Sequence, residues 1–298
     1  MNFGGIEEQY TVWKKAAFVV VPVPYDLTTT YQSGSRRGPA AILDASGNME
    51  LYDEELDQET YLAGICTFAP IEAEATGPEA MVRKVEERVT AASQGGKIPV
   101  VLGGEHSISL GAIRALKRRH ANLSVLQFDA HADMRESYQG SPYSHACIAR
   151  RAREICPIVQ VGIRSLSAEE AAFLKANPVK TWSVEAIRSQ SDWPEDLCRD
   201  LSDDVYVTID LDVFDPSLMP STGTPEPGGL LWHEVLSVLR EVCRRRRVRG
   251  FDVVELAPLP GIIAPDFLAA KLTYRTMGYL VQAAGRRKGR RPRAAARR

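Results

Sequence analysis

The sequence predicts a three-layer α/β/α fold built on a mostly parallel β-sheet, and two observations carry that prediction. Short runs rich in β-branched residues recur along the chain with few polar interruptions, the pattern of strands buried on both faces. Between them lie segments with apolar residues every three or four positions. Strand and helix therefore alternate, which implies parallel pairing with helices on both sides of the sheet. At 298 residues the chain can bury roughly 75% of its unfolded surface, so neither a disulfide nor a structural metal is needed for folding.

The predicted strands span residues 17–22, 98–102, 123–128, 158–161, 205–211 and 250–254. The clearest helix runs from Pro78, a residue suited to the first helical position, to Ser93. Val82, Val85, Val89 and Ala92 line one face of it, and Gly95-Gly96 marks its stop. Further helices are expected over 110–119, 168–176, 231–242 and 268–281. The loop 215–229 has four prolines and three glycines, but it is too short to separate domains. One domain, residues 1–284, is expected, followed by a basic tail, 285–298, read as disordered.

Hydrophobic content of 44% and charged content of 25% fit a soluble globular protein. No stretch approaches the ~18 apolar residues of a membrane span, and the polar start lacks the pattern of a secretory signal. Five scattered cysteines, odd in number and without a C-x-x-C pair, point to a reduced, cytoplasmic setting. Net charge is −1, yet the tail holds eight basic residues and no acidic one, so the body is acidic. An acidic body favours a small cationic ligand. No aromatic interleaves the tail's charges, so it reads as a solvated extension and not as a nucleic-acid arm.

Three strands end in ionisable residues. Residues 98–102 run into Gly103-Gly104-Glu105-His106, residues 123–128 into Asp129-Ala130-His131-Ala132-Asp133, and residues 205–209 into Asp210-Leu211-Asp212. Sites in open parallel sheets gather at such carboxyl ends. Side chains at i and i+2 of an extended segment point the same way, so Asp129, His131 and Asp133 are expected to converge, as are Asp210 and Asp212. Four carboxylates buried together raise one another's pKa unless a cation compensates them. Two divalent metals balance four aspartates and leave neutral imidazoles to complete the shells. Oxygen-rich sites with imidazole and no thiolate suit Mn²⁺ better than Zn²⁺, with Zn, Co, Ni and Fe left open. Surface or capping roles explain a lone Asp-x-His, but not three such strand ends together.

These runs resemble the ureohydrolase family, which includes arginase and agmatinase. The matching segments are Gly103-Gly104-Glu105-His106-Ser107, Asp129-Ala-His-Ala-Asp133, Asp210-Leu-Asp212-Val-Phe-Asp215-Pro216 and Glu255-Leu-Ala-Pro258. Residues 31–46, with a Gly-Pro helix start, and a C-terminal "AAKLTYRTMGYL" extend the likeness over about residues 20 to 282. The resemblance implies an arginase-like fold and two Mn²⁺ per chain. His106, Asp129, Asp133 and Asp210 would hold one metal; His131, Asp129, Asp210 and Asp212 would hold the other. Asp133 would also accept a hydrogen bond from the bridging hydroxide and hand its proton to the leaving amine. Glu255, at the end of 250–254, would pair with a guanidinium, for which a carboxylate is the natural bidentate partner. His145, in "YSHAC", would shuttle protons at the mouth with a pKa near neutrality, although a shifted alignment puts Gln139-Gly140 in its place. Asp252 reads as structural, His120 as a helix C-terminal cap and His233 as surface.

The loop 134–144 lacks the arginase pattern for an amino acid's carboxylate, and residues 222–229 resemble the agmatinase signature, with Ser221 where glycine is usual. Agmatine hydrolysis to putrescine and urea is therefore expected, as in polyamine biosynthesis. Guanidinobutyrate or a related guanidino acid comes next, with Arg135 and Arg164 each able either to meet its carboxylate or to form a structural ion pair, and then arginine. A one-zinc deacetylase-type enzyme and a non-catalytic metal-binding subunit are the rivals from other classes. No nucleic-acid or membrane partner is expected, and the family likeness implies a homo-oligomer, a trimer or hexamer.

Overall fold

The computed structural model describes residues 1–289. In chain order the strands are β1 (Phe18–Val23), β2 (Tyr52–Asp53), β3 (Gln58–Glu59), β4 (Ile65–Thr67), β5 (Ile98–Gly103), β6 (Leu123–Phe128), β7 (Ile158–Val161), β8 (Lys180–Trp182), β9 (Asp204–Asp210) and β10 (Arg247–Val254). Eight of them form one sheet in the order β4-β1-β5-β10-β9-β6-β7-β8, every neighbouring pair parallel. β2 and β3 make a separate antiparallel hairpin. All six predicted strands are present. The two strands of this sheet that sequence periodicity missed, β4 and β8, are its edges and only three residues long, and the hairpin strands β2 and β3 have two residues each, too short to leave a pattern.

The helices are α1 (Gly38–Ser46), α2 (Pro78–Ala92), α3 (Ser109–Lys117), α4 (Ile148–Arg153), α5 (Ala168–Ala176), α6 (Val184–Ser189), α7 (Trp193–Arg199), α8 (Trp232–Arg245) and α9 (Ala264–Gly289). α4, α6 and α7 make two turns or fewer, which again leaves no readable period. α9 is longer than the expected 268–281. Alanine, arginine and lysine are good helix formers, and the helix continues through them, so residues 285–289 extend it instead of starting the expected tail. The rest of that tail, 290–298, lies outside the described residues.

Both faces of the sheet are buried, as the unbroken apolar runs require. On β1, Phe18 and Val20 join Ile42 of α1, Leu239 of α8 and Leu272 of α9 in one layer. Val19, Val21 and Val23 join Val82 of α2 and Ile113 of α3 in the other. The strand order decides where a site can form. The chain passes from β5 through α3 to β6, but β9 and β10 return later and insert between those two strands. Four carboxyl ends, those of β5, β10, β9 and β6, are thereby set side by side where the strand order reverses, the place where open α/β sheets bind ligands. Among the described residues no helix is long and apolar enough to cross a membrane.

Candidate active site

Each ionisable run leaves its strand by a turn. β5 ends in Gly103, and at Gly104 a Cβ would lie 1.8 Å from the Tyr25 carbonyl oxygen, so only glycine lets the chain pass there. His106 then opens a single 3₁₀ turn, His106–Ile108. Asp210 is the last residue of β9, and its carboxylate accepts the Asp212 N–H at 3.0 Å, bending Leu211–Val213 into another 3₁₀ turn. After β6, His131 bridges to Ser165 and Asp133 takes a positive φ of 51°. The expectation that extended i, i+2 alternation gathers these side chains is therefore corrected. The ladder stops at the strand ends, and turns bring the side chains together. Asp133 and Glu255 (φ 65°) both occupy the left-handed region, uncommon for residues other than glycine and typical of functional positions.

The six predicted ligand residues converge. His106 Nδ1 lies 3.1 Å from Asp129, 3.2 Å from Asp133 and 3.3 Å from Asp210. His131 Nδ1 lies 2.8 Å from Asp212 and 3.7 Å from Asp129. His106, Asp129 and Asp210 form one group able to hold a metal ion; Asp129, His131 and Asp212 form a second, with Asp129 common to both. All but His131 are buried.

Two properties show that this donor set fits cations. His106 Nδ1 is buried beside three carboxylates yet makes no hydrogen bond, which leaves its lone pair aimed at the space between them. The charges are also out of balance without a metal. Burial, and then the Asp129 charge, push Asp133 up to about 7. Burial and the neighbouring aspartates hold Asp210 well above the ordinary carboxylate range. For His131 burial acts the other way, but Asp212 and Asp129 outweigh it and raise the imidazole to about 11. The cluster thus retains protons where divalent ions would replace them.

Above these groups opens a cavity of about 250 Å³ lined by His131, Asp133, Asp210, Asp212, Glu255 and His145, among others. Glu255 accepts the His106 backbone N–H at 2.6 Å. Burial, followed by the Glu105 carboxylate behind it, keeps Glu255 well above its ordinary pKa, so an entering guanidinium would ionise it. Glu105 in turn accepts from the Thr28 N–H and hydroxyl, both at 2.6 Å, and the Thr28 hydroxyl accepts the His145 N–H at 3.1 Å. His145 lines the cavity, whereas Gln139-Gly140 forms an exposed turn tip closed by paired Tyr138–Ser141 hydrogen bonds. Its expected near-neutral pKa is corrected. Burial, with the His106 and His131 charges, pushes it down to about 4, so it stands as a neutral imidazole.

The two arginines separate. Arg135 lines the cavity, lies 4.8 Å over the Tyr138 ring and is 3.8 Å from Glu170. Arg164 matches neither expected role, carboxylate binder nor ion pair. It donates to the carbonyls of Asp212 (2.7 Å), Glu226 (2.8 Å), Gly162 and Pro227 (both 3.1 Å), fastening the Asp212 turn to the proline-rich loop. Arg164→Lys keeps the charge but loses the fork. The expected cost is about 2 kcal/mol of stability, read as a fall in denaturation midpoint; an unchanged midpoint would contradict the clamp. His120 lies in a separate basic cavity with Arg119, Arg247 and Arg249, and His233 is exposed. Sequence reasoning missed Gln127, which donates to Asp129 at 2.7 Å, Gln160 beneath it, and Thr208. Each is a polar residue inside an otherwise apolar strand run, the signal that could have found them.

Comparison with known proteins agrees with this geometry. Residues 16–278 match the Arginase family model. The chain is 39% identical to an N(1)-aminopropylagmatine ureohydrolase of Synechocystis sp., covering 91% of this chain and 92% of that protein. It is 36% identical to an agmatinase of Pyrococcus horikoshii, with 89% and 92% covered. The solved structure of an agmatine ureohydrolase of Thermoplasma volcanium superposes with a TM-score of 0.86 at 33% identity, over 92% of this chain and 93% of that one. With the family match spanning most of the sequence and the sheet and strand-end residues in agreement, the chain belongs to the arginase family of ureohydrolases.

Proposed function

We propose that this chain is a binuclear manganese enzyme that hydrolyses the guanidinium end of a linear guanidino amine, agmatine or its aminopropyl derivative, to urea and the amine. The observation that carries the reading is the pair of ligand groups sharing Asp129 on a cavity wall that also holds Glu255. His106, Asp129, Asp133 and Asp210 would hold one ion and His131, Asp129, Asp210 and Asp212 the other. Manganese suits oxygen-rich donors with two imidazoles. Two such ions, when bound, lower the pKa of a shared water and stabilise charge developing on the substrate.

The chain's own groups do the rest. Glu255 pairs with the guanidinium and orients its central carbon toward the metal-ligating aspartates. Asp133, held at the cavity wall, accepts a proton from the attacking water and returns it to the leaving amine. His145, a neutral imidazole whose backbone is anchored through Thr28, lines the cavity as a hydrogen-bonding group for the substrate. The names of the similar proteins and the acidic cavity favour an amine at the substrate's far end. Arg135 supports a second reading, a guanidino acid such as guanidinobutyrate, because its guanidinium lines this cavity. A cytoplasmic homo-oligomer belongs with either reading.

Urea release from the manganese-loaded protein, measured over agmatine, N(1)-aminopropylagmatine, guanidinobutyrate, guanidinopropionate, arginine and guanidine, tests this. The highest kcat/KM is expected on one of the first two. A preference for guanidinobutyrate would install the second reading, and no urea from any of them would overturn both.

A further inference from the structure

We infer that Asp252, acting through the Thr208 hydroxyl, is a positioning residue for His106 and sets the affinity of the metal site that His106 completes. The inference rests on the binuclear reading above and assigns a role outside the ligand set. Asp252 lies on β10 and Thr208 on the adjacent β9, paired directly across the ladder. Thr208 Oγ1 is 2.8 Å from His106 Nε2 and donates to Asp252 Oδ1 at 2.6 Å. The other Asp252 oxygen accepts the Tyr206 hydroxyl at 2.6 Å, and the Ile209 N–H donates to Oδ1 at 3.2 Å. Asp252, Thr208, Tyr206 and His106 are all buried.

The direction of the relay follows from proton counting. His106 Nδ1 faces Asp129, Asp133 and Asp210 and must present a lone pair there to ligate a cation. The ring proton is then on Nε2 and is donated to Thr208 Oγ1. The single Thr208 proton goes to Asp252, whose oxygen at 2.6 Å is much nearer than the Ser109 hydroxyl at 3.4 Å. A buried carboxylate at the end of this path fixes the imidazole tautomer and ring angle and makes Nδ1 a stronger donor, the usual arrangement behind a metal-bound histidine. His131 is not tied to this relay: its Nε2 lies 3.7 Å from the half-buried Glu226 carboxylate, beyond hydrogen-bond distance. The effect is therefore confined to one of the two sites.

Manganese titration by calorimetry, with metal content after dialysis, reads this directly. Wild type is expected to bind two ions. Thr208→Val and Asp252→Asn are each expected to weaken one site by about 10- to 100-fold and leave the other as in wild type, so that dialysis retains one ion. Thr208→Ser, which keeps the hydroxyl, is expected to restore both. If Asp252→Asn fails to fold, Thr208→Val decides, because it has nearly the same volume as threonine. Two ions bound by Thr208→Val with wild-type affinity would overturn the relay, as would a Thr208→Ser protein as weak as Thr208→Val. A wild-type protein that binds fewer than two ions would instead overturn the binuclear reading.

Discussion

Replacing Asp133 with asparagine is expected to lower urea release by about 10²- to 10⁴-fold, the range contributed by a positioned proton acceptor. Asparagine keeps the shape of aspartate and one oxygen, but it can neither take up a proton nor carry the charge. The backbone makes the substitution unusually clean. Residue 133 has φ 51°, and asparagine is among the residues that tolerate the left-handed region best, so the turn after β6 should persist. Turnover at saturating manganese, with circular dichroism as a check on folding, measures the effect. Turnover within a few fold of wild type would refute the role assigned to Asp133 and leave it a ligand or a structural residue.

Removing metal is expected to destabilise the protein far more at about pH 8 than at about pH 5.5. In the metal-free chain burial raises Asp133 from its ordinary 3.8 to about 7, so the folded state keeps a proton that the unfolded chain releases. That stabilising contribution is complete below about pH 4 and is lost as pH rises through 7. His131 follows the same sign. Burial opposes the shift, but Asp212 prevails and lifts the imidazole from 6.5 to about 11, so its contribution is present below about pH 6.5 and declines above it. On the proposed binuclear reading manganese would take the place of these protons, and apparent affinity should rise about tenfold per pH unit for each proton displaced. Thermal unfolding of the chelated protein, with and without manganese at the two pH values, tests this. An equal gain at both would show that these two groups do not exchange protons for metal.

Much of the centre was legible because metal sites need particular residue types and these stood at strand ends. Asp129, His131, Asp133, Asp210 and Asp212 fall within five residues or fewer of a predicted strand, and strand runs as apolar as 123–128 and 205–209 are read easily. What the reading misjudged was the path of the chain. Turns, not extended alternation, aim the side chains, because the ladder hydrogen bonds end at Phe128 and Asp210. His145 lines the cavity, but its pKa depends on burial and on the charges of His106 and His131, quantities that neighbours in sequence do not carry. Arg164 was open between two roles and took a third, since its carbonyl partners lie 48 and more residues away for Asp212, Glu226 and Pro227.

By itself the sequence determined the fold class, the family and the identity of the candidate ligands, because burial on both sheet faces and metal chemistry each restrict the residue type at a position. Only the tertiary structure decided how these parts meet. The insertion of β9 and β10 between β5 and β6 places His106 beside Asp210 and Thr208, and Glu255 beside the His106 backbone. Strand order is set by the packing of α1, α8 and α9 on one face and α2 and α3 on the other. The pattern within a single strand does not encode it, since a strand buried on both faces reads the same wherever it sits in the sheet.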